Sequence, residues 1–280
     1  MQKQPSASHF TFDWMGALVL IGGMFAGTML VAVLNTLSIF LFNRNFQYED
    51  FYLIIANVAG FLTAIFAFDH LIVRPQTGQK LNFNVSAASF STYLLVFPMM
   101  FGMMLIAEFI SSKIPTTGAF FGPSYEFFTE LMAQMTKDEA TLIVLAVIMA
   151  PLFEEIIFRG IILKGLINKG MRPLIAILLS SLAFGIVHGN PWQFAGAVLL
   201  GSVLGLVYYK TKTLLLPILL HAFNNFCSAL LIFYADTESF AETFKISEYL
   251  LLAAGVSLFG FTYYLFSKKF STPDSEPNQL

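Results

Sequence analysis

The sequence predicts an all-α fold: a polytopic membrane helical bundle of about eight transmembrane helices with both termini in the cytoplasm. Three observations carry that expectation. Of 280 residues, 57% are apolar and only 11% are Asp, Glu, Lys or Arg, whereas a soluble domain is about 25% charged. The 32 phenylalanines and 12 methionines exceed what one soluble core can hide and suit a lipid-facing surface. Apolar runs of about 20 residues, the length that crosses a bilayer, recur along the whole chain. The same figures exclude a disordered chain, and a net charge of −2 speaks against nucleic acid as a partner.

The first run, Trp14 to Phe42, is too long for a signal-peptide core and follows a stretch that is not strongly basic, so it reads as a retained helix. The second covers Phe51 to Phe68 and ends at Asp69-His70. The third covers about Val85 to Ile110, and the fourth starts near Ala140 and continues through Glu154 and Glu155 towards Lys164. The fifth runs from about Pro173 to His188, the sixth from Phe194 to Tyr209, the seventh from Leu214 to about Tyr234 and the eighth from Tyr249 to Phe266. Between the third and fourth, Lys113 to Asp138 is a connection rich in Pro and Gly; its segment Tyr125 to Met135 has the apolar periodicity of a short interfacial helix. The tail, Ser271 to Leu280, is polar with two prolines and reads as a disordered cytoplasmic tail without a prenylation cysteine. Residues 1–270 are thus expected to form a single transmembrane domain. The one cysteine, Cys227, permits no intramolecular disulfide and reads as a small buried apolar residue.

Short cytoplasmic loops are enriched in Lys and Arg. With the N-terminus inside, the inner segments hold Lys3, Arg74, Lys80, Lys164, Lys169, Arg172, Lys210, Lys212, Lys268 and Lys269, and the outer ones only Arg44, Lys113, Lys137 and Lys245. The acidic residues fall mostly outside. The bias repeats from loop to loop, which is why eight spans with both ends inside is the expectation.

Some charges break the pattern. Glu154, Glu155 and Arg159 lie within the fourth span, where a charge needs a partner, water or protonation. Glu155 and Arg159 are four apart on one helical face and can form an ion pair; Glu154 points about 100° away and is left free. Pro151 removes a backbone hydrogen bond one turn earlier. His188 closes the fifth span, and His221 sits inside the seventh with Asn225 one turn later. Each has an ordinary reading: a structural ion pair, an interfacial histidine, interhelical polar glue. At about 1.5 Å per residue, however, these positions fall at depths that allow one layer. Such an inventory suits hydrolysis. A carboxylate and an imidazole can hold and deprotonate a water, while a second imidazole and an amide can donate to an oxyanion. Two histidines and a glutamate could instead hold Zn²⁺, although the His-Glu-x-x-His spacing is absent.

The three segments Glu154-Glu155-Ile156-Ile157-Phe158-Arg159, Phe184-Gly185-Ile186-Val187-His188 and His221-Ala222-Phe223-Asn224-Asn225 resemble the motifs of the CPBP intramembrane proteases, which include the CAAX prenyl endopeptidases and the bacterial Abi proteins. The likeness covers a catalytic core of about residues 140–231. It implies a membrane endopeptidase, nominally a metalloprotease, with a cavity open to the cytoplasm. Glu154 and His188 would activate water, His221 and Asn225 would form the oxyanion hole, and Glu155 and Arg159 would support the site, or Glu155 would help position the water. The implied partners are the lipid bilayer and a membrane-anchored peptide or protein substrate, at the cell membrane. No cofactor is expected; Zn²⁺ held by Glu154, His188 and His221 is the alternative. Two other functions fit the same residues, a non-catalytic membrane immunity or binding protein and a transporter.

Overall fold

The computed structural model describes residues 9–47, 49–135, 138–235 and 237–271. Among them the regular elements are all helices: α1 Trp14–Phe42, α2 Phe51–Thr77, α3 Phe90–Ser111, α4 Gly118–Met135, α5 Glu139–Asn168, α6 Pro173–Ile186, α7 Pro191–Thr211, α8 Leu215–Ala235, α9 Phe240–Phe244 and α10 Glu248–Lys269. The expected tail beyond Ser271 lies outside the described residues. The molecule is an all-α, polytopic membrane bundle.

Seven of these helices are long and apolar enough to cross a membrane, all the expected spans except α6. At 14 residues, α6 rises only about 21 Å against a hydrocarbon core of about 30 Å. Its end is built in. Gly189 takes a left-handed φ of 71°. Asn190 then accepts a hydrogen bond from Gln193 N (2.9 Å), and Pro191 opens α7, so the chain turns back at once.

The third span also starts later than its composition suggests, at Phe90. Residues 81–89 run as an irregular strap across helix ends instead. Leu81 N donates to Asp69 Oδ1 (2.7 Å), Leu214 N to Asn84 O (2.8 Å) and Thr213 Oγ1 to Ser86 O (2.7 Å). Asp69 is held by Arg74 as well (2.7 Å). That pairing lets α2 continue past the Asp-His pair, through a π-helical turn at Asp69–Val73, to Thr77.

Helices pair where small residues let backbones meet. A Cβ added at Gly23 of α1 would sit 2.6 Å from Ala64 Cα of α2. Gly102 of α3 and Gly255 of α10 approach each other in the same way. Helix α5 departs most from α geometry: π-helical stretches at Ile143–Met149 and Ile156–Leu163 flank Pro151. Asp138 caps its start, and hydrogen bonds from Thr141 hold the Asp138 carboxyl below its ordinary value.

Long-range bonds define the two ends of the bundle. At one end Phe12 N donates to Gly165 O (3.1 Å), Asn168 to Phe10 O (3.0 Å) and Lys269 to Ser89 (2.9 Å). The first and last described residues are here, with the strap. At the other end Lys113 pairs with Glu248, Ser111 donates to Trp192 O (3.0 Å), and Ser239 donates to Glu108 (2.7 Å). Helix α4 lies at this second end, pinned by Tyr125 and Phe128 against Trp192 (ring centroids 4.9 and 5.8 Å).

Candidate functional site

The shortness of α6 and the irregularity of α5 bring the polar residues together. Because α6 stops early, His188 lies at a helix end within the bundle, beside α5 and α8. Glu155 and Arg159 of α5 are fully buried, as an ion pair at 2.7 Å, the partnership their spacing predicts. Arg159 also donates to Gly201 O of α7 (2.9 Å), and its guanidinium carbon stands 4.8 Å from the ring centre of Phe184. A charge at this depth costs several kcal/mol unless paired and hydrogen-bonded; here three elements share the task.

Glu155 Oε1 also meets His221 Nδ1 at 2.9 Å. A carboxylate paired with arginine is an acceptor only, so Nδ1 carries the proton and Nε2 is the free nitrogen of His221. That Nε2 lies 3.9 Å from Glu154 Oε2. His188 Nδ1 faces the carbonyl of Phe184 at 2.8 Å. Carbonyls only accept, so this ring too is protonated on Nδ1 and leaves Nε2 unengaged. Phe184 stands edge-on to both imidazoles, with centroids 5.0 Å from His188 and 5.4 Å from His221, which fixes their planes.

Asn225 donates to Ala146 O at 2.7 Å and accepts from Asn224 (2.9 Å). The need for that donor comes from Pro151. In the π-helical register Ala150 N reaches Leu145 O, so the next amide would reach Ala146 O, and proline has none. One proton of the Asn225 amide fills that place and the other stays free.

Glu154, His188, His221 and Asn225 line one cavity of about 1290 Å³. Glu155 and Arg159 are behind its wall, absent from the lining. The cavity runs past Asn57 and Phe61 of α2 and under α4 to the second end of the bundle, where Glu108, Glu238 and Lys245 join its lining.

The zinc alternative does not hold. Among the described residues no group of three His, Cys, Asp or Glu is placed to take a metal ion. The physical reason is separation: the closest approach of His221 to Glu154, 3.9 Å, is wide for two ligands aimed at one ion about 2 Å from each.

Several participants carried no sequence signal. The carbonyls of Gly201, Phe184 and Ala146 act through the backbone, which has no residue type to read. Glu108 and Trp192 are legible only as a charge near a span end and an aromatic residue after a helix break. Cys227 is half-buried on α8 and outside the cavity lining.

Residues 136–227 match the sequence model of a family described as Rce1-like, type II CAAX prenyl endopeptidase Rce1-like. This CAAX-protease-like stretch is about a third of the chain and contains all six site residues. No curated protein and no solved structure matches the chain.

Proposed function

We propose that the chain is an intramembrane endopeptidase that hydrolyses a peptide bond of a membrane-anchored peptide or protein, with the water held by Glu154 and His188. The observation that carries this reading is the division of the polar residues into two sets. Glu154 and the unengaged Nε2 of His188 face the cavity, while Glu155 and Arg159 are sealed behind it and orient His221. The CAAX-protease-like stretch over residues 136–227 supports the same reading.

The water oxygen attacks the carbonyl carbon while its proton passes to Glu154 or to His188 Nε2. The carbonyl oxygen, now anionic, accepts from the free amide proton of Asn225 and from His221 Nε2. With Nδ1–H given to Glu155, His221 donates from Nε2 only as the imidazolium. The C–N bond then breaks, the amine leaves with the proton taken from water, and a carboxylic acid remains. The same proposal has both termini in the cytoplasm, a reading supported by the basic residues at that end of the bundle.

The test is Glu154→Gln, which keeps shape and removes the base. Hydrolysis of a lipid-anchored reporter peptide by the purified chain should fall by about 10²–10⁴-fold with the melting temperature in detergent unchanged. Undiminished cleavage would overturn the assignment.

A further inference from the structure

The resemblance carries the expectation of a cavity open to the cytoplasm, and the loop charges carry that of cytoplasmic termini. The fold separates the two. The chain's described ends lie at one end of the bundle, with the Phe12–Gly165 and Lys269–Ser89 contacts. The cavity reaches the other end, among Ser112, Thr116, Trp192, Ser239 and Glu248. Only one expectation can be right, and the charges choose. Arg74, Lys80, Lys164, Lys169, Arg172, Lys210, Lys212, Lys268 and Lys269 belong to the terminal end, against Arg44, Lys113 and Lys245 at the cavity end. Basic residues near span ends mark the cytoplasmic side.

We propose that the candidate site opens to the extracytoplasmic side and takes from there an apolar peptide segment flanked by a basic residue. The apolar part follows from Met100, Met104, Phe128 and Leu200 along the cavity wall. The basic flank follows from the mouth, whose lining holds Glu108, Glu238, Glu242 and Glu248 with one lysine, Lys245. Glu248 is already neutralised by Lys113. Glu108 is not: Oε1 accepts from Ser239 and from Ala241 N, while Oε2 is buried with no partner. A buried carboxylate oxygen left unpaired is costly, and a cationic side chain at the mouth would offset the Glu108 charge. Hydrolysis of the segment rests on the endopeptidase reading; the side from which it enters does not.

The experiment has two arms. In a Cys227→Ala background, single cysteines at Glu130→Cys on α4 and Lys169→Cys at the opposite end, both exposed positions, are treated with a membrane-impermeant maleimide on intact cells. Position 130 should label directly and position 169 only after permeabilisation; the reverse pattern would overturn the sidedness. In the second arm, quenched apolar peptides with lysine or glutamate flanks are added to right-side-out vesicles carrying the full chain. The lysine-flanked peptide should be cut at least tenfold faster, and Glu108→Gln should narrow that ratio. Equal rates would overturn the basic flank. The expected labelling with no cleavage of either peptide, from either side of the membrane, would remove the endopeptidase reading and leave the sidedness standing.

Discussion

Arg159 shows how much of the site is scaffolding. Its guanidinium meets Glu155, the carbonyl of Gly201 and the face of Phe184, and of these only Phe184 lines the cavity. Removing it leaves the Glu155 carboxylate buried without its counter-charge. Arg159→Leu should therefore cost about 3–5 kcal/mol, read as a lower melting temperature of the detergent-solubilised protein. The double variant Glu155→Gln/Arg159→Leu should recover part of that loss, because no bare charge remains. If the single variant melts like the parent, the pair contributes nothing to stability. The pair was legible from its four-residue spacing. Its further partners were not, since a backbone carbonyl and a ring face from distant helices leave no pattern in the sequence.

Between residue and fold stands α5, whose irregular hydrogen bonding ties Asn225 to Pro151. Asn225→Leu orphans Ala146 O and should cost about 1–3 kcal/mol. Pro151→Ala restores a backbone amide where that carbonyl can take it, so the same substitution should cost less in that background, with a coupling of about 1 kcal/mol measurable by a double-mutant denaturation cycle. Independent effects would mean that the proline is not what makes the asparagine necessary. The α1–α2 pair offers a cleaner contrast. Gly23 meets the backbone of α2 while a Cβ at Gly22 meets nothing within 4 Å. Gly23→Leu should cost about 1–3 kcal/mol and Gly22→Leu nothing measurable. Seven spans were legible as apolar runs of sufficient length, and the amphipathic stretch of α4 as a periodicity. The strap at residues 81–89 was not. Its composition is that of a helix start, and only its bonds to Asp69, Thr213 and Leu214 hold it irregular.

For the whole molecule, the two tryptophans report on opposite ends. Trp14 is 69% exposed on the surface of α1, and Trp192 is packed under α4 at the cavity wall. In a Trp14→Phe variant the remaining emission comes from Trp192. A peptide entering the cavity should shift it, and should do so equally when Glu154 is glutamine and nothing is cut. Cleavage without any spectral change would mean that the substrate enters by another route. The arrangement of the bundle was largely legible, because loop charges and apolar runs are sums over many residues. The depth of the site was not, because it depends on where one helix stops. A sequence that reads Val187-His188-Gly189-Asn190-Pro191 is as compatible with the last turn of a full span as with a reversal inside it.

That reversal has a consequence for the lipid. Helix α6 presents Leu174, Leu178, Leu179 and Ile186 outward, an apolar face suited to acyl chains, yet it is roughly 9 Å shorter than a typical hydrocarbon core. Lipid beside a short helix thins to meet it. Thinning at the end of α6 would fall next to His188 and would bring headgroups and their hydration towards the candidate site. Bilayer thickness then sets how readily water reaches His188. Reconstituted in phosphatidylcholines of rising acyl length and constant headgroup, the protein should slow as the membrane thickens, with the fold intact at every length.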